Sequence, residues 1–200
     1  MAPIVVPFRG AGAKLRLIPV PEPEREALAL AMLGDVLSAC RVVGPTTVVT
    51  DDPGASALAR ELDARPLADP GEGQGAAVSA ALEGVEGQVL VVNADVPCVV
   101  PHDLRSLLRA TPAGGIAFVQ AADGTTNALG LNRAELFAPL YGPGSAERFR
   151  ARADELGGEA LAVAIPNLTD DVDTLADLRR VGLRAGPRTQ VAISTLGLAA

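Results

Sequence analysis

Lysine, histidine and aromatic side chains are nearly absent from this 200-residue sequence. Lys14 is the single lysine, His102 the single histidine, there is no tryptophan, and aromatic residues make up 2% of the chain. A Ser-His-Asp or Cys-His mechanism would have to run through His102 alone, and a metal site built from several histidines is excluded. The net charge of −7 and a pI near 4.7 speak against binding nucleic acid through a basic face. Two cysteines, Cys40 and Cys98, stand in apolar stretches, where a free cysteine serves as a small hydrophobe. They fit a reducing cytoplasm and not a disulfide framework. The apolar runs fall short of the ~18 residues of a membrane span, and the apolar opening over 1–7 is too brief for a signal peptide. The expectation is a soluble, cytoplasmic protein with neither a membrane nor a nucleic-acid partner. Chemistry must then come from carboxylates, hydroxyls, backbone amides, Lys14 and the arginines. The excess of arginine over lysine reads as genome composition.

What the sequence does contain is an alternation. Short runs rich in valine and isoleucine, such as Ile4-Val5-Val6-Pro7-Phe8, Thr46-Thr47-Val48-Val49-Thr50 and Gln88-Val89-Leu90-Val91-Val92-Asn93, alternate with alanine- and leucine-rich stretches of helical length. That pattern predicts an α/β fold, a mostly parallel sheet with helices on both faces. Helices are expected at about 23–40, 55–62, 76–82, 101–109, 145–156 and 175–181, and further strands at about 65–68, 115–119 and 161–165. Asp51 or Asp52 is a natural cap for the second helix, and Thr174-Leu175-Ala176-Asp177 fits a capping box for the last. The expected organisation is one domain over 1–183, followed by a tail over 184–200 in which no amphipathic pattern assigns an element.

In open α/β sheets ligands bind beyond the carboxyl ends of the strands, so polar residues directly after apolar runs are the candidates. The loop after the first strand joins Gly10, Ala11 and Gly12 to Lys14 and Arg16, small residues and cations suited to an anion, although neither the Walker pattern nor the dinucleotide fingerprint is present. Asp95 closes the most hydrophobic run and is a helix cap, an ion-pair member or a metal ligand; Asp103 stands nearer the next helix start. Asp171 and Asp173, two apart on an extended segment, point to one side. Such a pair calls for a cation, with magnesium suiting an all-oxygen donor set, unless Asp173 or Thr174 merely caps the helix that follows. Thr125-Thr126-Asn127 and Gly142-Pro143-Gly144-Ser145 offer hydroxyls and amides to an anion, or are a turn and a cap.

Taken in order, these segments resemble the 2-phospho-L-lactate guanylyltransferase family, whose members include phosphoenolpyruvate guanylyltransferases of coenzyme F(420) biosynthesis. The resemblance runs from the first strand to about residue 183. It rests on Ala13-Lys14-Leu15-Arg16-Leu17, Asp95-Val96-Pro97, Gly124-Thr125-Thr126-Asn127-Ala128-Leu129 and Tyr141-Gly142-Pro143-Gly144-Ser145. Its specific part is that Gly-Pro-Gly-Ser turn together with Asp171-Val172-Asp173-Thr174-Leu175-Ala176-Asp177-Leu178.

The resemblance implies a Rossmann-like nucleotidyltransferase that joins GMP from GTP to the phosphate of a small phosphorylated acid and releases pyrophosphate. By that analogy Asp95, Asp171 and Asp173 hold Mg²⁺ and carry catalysis with Lys14. Thr126, Gly142 and Ser145 bind the acceptor. Lys14 and Arg16 meet the triphosphate, and the Gly73-Gln74-Gly75 turn lies near the base. The implied partners are GTP and the phosphorylated acid, with room for a homodimer. Two positions depart from the pattern: Phe149 stands where many relatives have histidine, and Gly73-Gln74-Gly75 replaces a Gly-Leu-Asn turn. The rival readings are a molybdopterin- or sugar-phosphate nucleotidyltransferase, a glycosyltransferase, and a non-catalytic nucleotide-binding protein.

Overall fold

In the computed structural model, residues 1–10 and 20–198 are described. Lys14 and Arg16, to which the resemblance assigns the triphosphate, therefore lie outside the described residues. Seven strands form one sheet: β1 (Ile4–Pro7), β2 (Thr46–Val49), β3 (Arg65–Leu67), β4 (Val89–Val92), β5 (Ile116–Gln120), β6 (Thr126–Leu131) and β7 (Ala160–Ala162), in the order β3-β2-β1-β4-β6-β5-β7. Among the described residues, β6 is the one strand that runs against its neighbours, pairing antiparallel with both β4 and β5. The chain leaves β1 outward to β2 and β3, then returns to place β4 on the other side of β1. The order reverses at β1/β4, which puts a topological switch point at the carboxyl ends of these two strands.

Helices α1 (Glu22–Arg41), α2 (Pro53–Glu61), α3 (Gln74–Leu82), α4 (Pro101–Ala110), α5 (Ser145–Glu155), α6 (Pro166–Thr169), α7 (Leu175–Val181) and α8 (Pro187–Thr195) complete the fold. The period-2 alternation of the strands explains how they are shared between two cores. Ile4, Val6, Leu90, Val92, Ala117 and Val119 face Leu33, Leu37, Leu104 and Leu107 of α1 and α4. Val5, Val89, Val91, Ile116 and Phe118 face Ala77 and Val78 of α3 and Phe149 of α5. Strands buried on both faces read as uninterrupted apolar runs, which is why β1 and β4 stand out in the sequence.

Local signals set the helix boundaries. Asp52 Oδ1 accepts the backbone N–H of Ala55 at 2.8 Å and Pro53 follows it, so of the two adjacent aspartates Asp52 is the cap of α2. At α7 the reciprocal bonds of a capping box are formed: Asp177 Oδ2 accepts from Thr174 N at 2.9 Å, and Thr174 Oγ1 accepts from Asp177 N at 3.2 Å. The run expected as a strand over 161–165 is paired only over Ala160–Ala162, because Pro166 opens α6 and the chain turns away from β5.

Beyond Arg184 the chain forms α8 and docks on α1. Its buried side consists of Thr189 and Ile193, too short a stripe to register as a period in the sequence. A carboxylate supplies much of the attachment instead. Asp35 of α1, 5% exposed, accepts Arg188 N at 3.0 Å and Thr189 N at 2.8 Å, a negative charge on the N-terminus of α8. The approach needs glycine at 186, where a Cβ would lie 2.3 Å from Asp35 Cγ. Among the described residues, no helix is long and apolar enough to cross a membrane.

Candidate active site

The switch point gathers the acidic residues singled out in the sequence. Asp95 lies in the turn after β4, and its backbone carbonyl accepts the N–H of Val172 at 3.0 Å, fastening the extended 170–173 segment beside that turn. Val172 points into the apolar cluster of Leu28, Met32, Leu178 and Val181, so its neighbours Asp171 and Asp173 turn the other way. Asp95, Asp171 and Asp173, all half-buried, each present one carboxylate oxygen within 4.8 Å of the other two.

Neighbouring polar residues at this end of the sheet have local roles. Thr174 caps α7, and Asp103 accepts from Val100 N and from Asn167 Nδ2, both at 3.0 Å, at the start of α4. Asp170 is held by Arg180 at 3.3 Å and by Arg184. Asp171 records the crowding: burial, and next the negative charge of Asp95, push its carboxyl from 3.8 up to about 6, while the amide of Asn127 holds it down. Three oxygen ligands that repel one another in a half-buried cleft fit a hard divalent cation, which would relieve that repulsion.

The residues expected at the acceptor also come together. Ser145 opens α5 and Thr126 opens β6; the Ser145 hydroxyl donates to Thr126 Oγ1 at 3.0 Å, and both residues are fully buried. Gly142, at φ +109, accepts from Ser145 N at 3.0 Å through its carbonyl, a backbone shape that explains glycine there. Arg148 ties the turn down by donating to the carbonyls of Leu140, Tyr141 and Pro143. Phe149, at the position where the resemblance leads one to expect histidine, is fully buried and stacks edge-on against Tyr141 at 5.5 Å. It supports the turn from below and does not line the cleft.

The Gly73-Gln74-Gly75 turn is part of the same end of the sheet. Gly73 sits at φ +96 before α3, which begins at Gln74 and not at residue 76. A Cβ on Gly75 would lie 2.5 Å from Pro139 Cβ, so glycine allows this turn to touch the segment leading to Gly142. Gln74 lines the cleft that also holds Phe8, Arg9, Met32, Asn93 and Asp95, and the groove that runs on to Tyr141 and Gly142.

Arg9 and Asn93 were not among the candidates read from the sequence, and Asn127 was singled out there only within the Thr125-Thr126-Asn127 turn. Arg9 supplies a cation to the cleft from the end of β1. Asn93 and Asn127 place amides between the Gln74 turn and Asp171, with Gln74 Nε2 donating to Asn93 Oδ1 at 2.7 Å. The available signal was Asn93 itself, an amide ending four buried apolar residues, where a polar group requires partners.

Residues 26–164 match the model of the MobA-like NTP transferase domain, which makes the protein a nucleotidyltransferase. Solved structures share the fold. A Desulfovibrio desulfuricans protein described as a nucleotide-diphospho-sugar transferase superposes with a TM-score of 0.78 at 17% identity, covering 99% of this chain and 97% of that one. A nucleotidyl transferase from Methanothermobacter gives 0.64 at 15% identity over 98% and 99%. Among sequence relatives, the phosphoenolpyruvate guanylyltransferase of Nocardia farcinica is 39% identical over 84% of this chain and 78% of its own length. That of Thermomonospora curvata is 37% identical over 93% and 86%. The chain belongs to the phosphoenolpyruvate guanylyltransferase family.

Proposed function

We propose that this enzyme transfers GMP from GTP to the phosphate of a small phosphorylated carboxylic acid, phosphoenolpyruvate or 2-phospho-L-lactate, in coenzyme F(420) biosynthesis. The observation that carries the reading is the Asp95, Asp171 and Asp173 cluster at the β1/β4 switch point, beside a cleft that is continuous with the Gly142 turn through Gln74.

An acceptor phosphate oxygen attacks the α-phosphorus of GTP, the bond to the bridging oxygen breaks, and pyrophosphate leaves. A phosphate is already ionised at neutral pH, so no general base is needed, in keeping with a chain that has one histidine. Positioning and charge neutralisation then supply most of the acceleration. Asp95, Asp171 and Asp173 would hold Mg²⁺, which when bound neutralises phosphate charge and aligns the two anions. Arg9 from the cleft and Lys14 and Arg16 from the following loop meet the triphosphate, and the Gly73-Gln74-Gly75 turn faces the base. Thr126, Gly142 and Ser145 receive the acceptor, with the Ser145 hydroxyl bonded to that of Thr126. The unit doing this work spans residues 1–183, with α8 bracing α1. Two buried free thiols suit a reducing cytoplasm.

The test is product analysis. Purified enzyme is incubated with GTP, Mg²⁺ and an equimolar mixture of phosphoenolpyruvate, 2-phospholactate and 3-phosphoglycerate, with pyrophosphate assayed and the guanylylated acid identified by mass. A guanosine diphosphate diester of one of the first two acids, abolished by a chelator, is the expected outcome. Pyrophosphate release only in parallel reactions with sugar phosphates or molybdopterin, guanylylation of 3-phosphoglycerate alone, or GTP binding with no release overturns the proposal.

A further inference from the structure

The side-chain amides between the two halves of the cleft form one directed chain. Gln74 Nε2 donates to Asn93 Oδ1 at 2.7 Å. Asn93 Nδ2 donates to the carbonyl of Thr126 at 3.2 Å and reaches Asn127 Oδ1 at 3.5 Å. Asn127 Nδ2 donates to the carbonyl of Thr169 at 3.2 Å and to Asp171 Oδ1 at 3.4 Å.

Two of these acceptors are backbone carbonyls, which cannot donate, and they decide the orientation of every amide. The Thr169 carbonyl requires the nitrogen of Asn127 to face the 169–171 segment, which turns Asn127 Oδ1 toward Asn93. The Thr126 carbonyl requires the same of Asn93, which turns its Oδ1 toward Gln74. The polarity follows from the fold, with no freedom left for flipped amides. Asn127 is 1% exposed, so water cannot replace these bonds. Each amide nitrogen carries two N–H donors, and its carbonyl takes one of them. The second N–H of each makes the onward contact, from Asn93 to Asn127 and from Asn127 to Asp171 Oδ1, which delivers a donor to a carboxylate of the acidic cluster. A ligating carboxylate is oriented in this way by its outer hydrogen bonds.

We propose that Asn93 and Asn127 are positioning residues for nucleotidyl transfer: Asn127 holds the Asp171 carboxylate in its ligating orientation, and Asn93, anchored by Gln74, holds Asn127. The proposal rests on reading Asp95, Asp171 and Asp173 as the cation site. It makes the Gln74 turn, on the base side of the cleft, mechanically continuous with the cation ligands.

The experiment is Mn²⁺ titration of the nucleotide-free enzyme by electron paramagnetic resonance, with thermal melts to verify folding and steady-state kinetics alongside. Asp171→Asn should lose Mn²⁺ binding. Asn127→Ala should weaken it about 10–100-fold, the range seen when an outer partner of a metal ligand is removed. Asn93→Ala should weaken it by a smaller factor, and the double variant should bind no more weakly than Asn127→Ala, because Asn93 acts only through Asn127. In turnover the loss should appear as a raised Mn²⁺ requirement and a lower kcat, with the acceptor KM unchanged.

Wild-type Mn²⁺ affinity in Asn127→Ala, with binding lost in Asp171→Asn, overturns the positioning role and leaves the cation site standing. Multiplying losses in the double variant overturn the chain. Wild-type binding in Asp171→Asn overturns the cation site itself. If Asn127→Ala does not fold, Asn93→Ala carries the test, and wild-type affinity there overturns the proposal.

Discussion

Substituting Asp171 by asparagine should make the cation-free protein more stable at neutral pH while disabling it. Burial and the charge of Asp95 push the Asp171 carboxyl from 3.8 up to about 6 in the folded chain. Between those two values the folded state binds more protons than the unfolded one, so the contribution of Asp171 to stability falls as pH rises and is fully unfavourable above about 6. A shift of about two pKa steps corresponds to roughly 3 kcal/mol. Asp171 is only half-buried and solvent screens it, which reduces the figure to about 1–2 kcal/mol. For a chain of this size that is a rise in Tm of about 2–8 °C. Asparagine keeps the volume and can still accept from Asn127 Nδ2, so the comparison isolates the charge.

The assay is urea unfolding of both proteins in chelator at pH values from 4 to 8. The difference should be near zero at pH 4, grow through the interval to pH 6 and then level off. Millimolar Mg²⁺ should restore stability to the native chain and leave the variant unmoved. A variant no more stable than the native chain at pH 7.5, or a difference independent of pH, refutes the electrostatic account of the site.

Asp35→Ala removes two charge-assisted bonds to the N-terminus of α8 and should cost about 2–4 kcal/mol in denaturant unfolding, with trypsin cutting first at Arg188. Uniform loss of protection across the chain would show that α8 is not a separable brace. Ser145→Ala should raise the acceptor KM severalfold at an unchanged GTP KM, with a stability loss of about 1 kcal/mol from the bond to Thr126; equal changes in both KM values would remove Ser145 from the acceptor side. Cys40, whose thiol burial pushes up to about 12, and Cys98, raised by the same cause, should resist thiol reagents at pH 8 until the protein unfolds. Rapid labelling of the native enzyme would contradict their burial.

Much of the site was legible as sequence because strand ends in this fold are ligand positions. Asp95 lies in the turn that follows β4, and the spacing of Asp171 and Asp173 in an extended segment put both carboxylates on one side. The capping box at Thr174 was equally local, since its bonds close within four residues. Asn93 and Asn127 were not legible as a pair: they stand 34 residues apart, and only the antiparallel register of β4 with β6 brings them together. The role of Phe149 was hidden for the same reason. Its burial beneath Tyr141 depends on how α5 packs against the Gly142 turn. Helix α8 gave no clear apolar period because its buried stripe is short and part of its attachment is a carboxylate from α1, 153 residues earlier in the chain than Arg188.

The sequence by itself determined the alternation of strands and helices, the chemistry available once histidine and lysine are nearly absent, and the three aspartates able to bind a cation. These follow from composition and short-range spacing. Tertiary structure decided which aspartate caps and which is held for the site, how the amides are oriented, and that the Gln74 turn, the carboxylates and the Ser145 turn share one end of one sheet. Those outcomes depend on strand register and on which carbonyl meets which donor, contacts between residues far apart in the chain that no local pattern encodes.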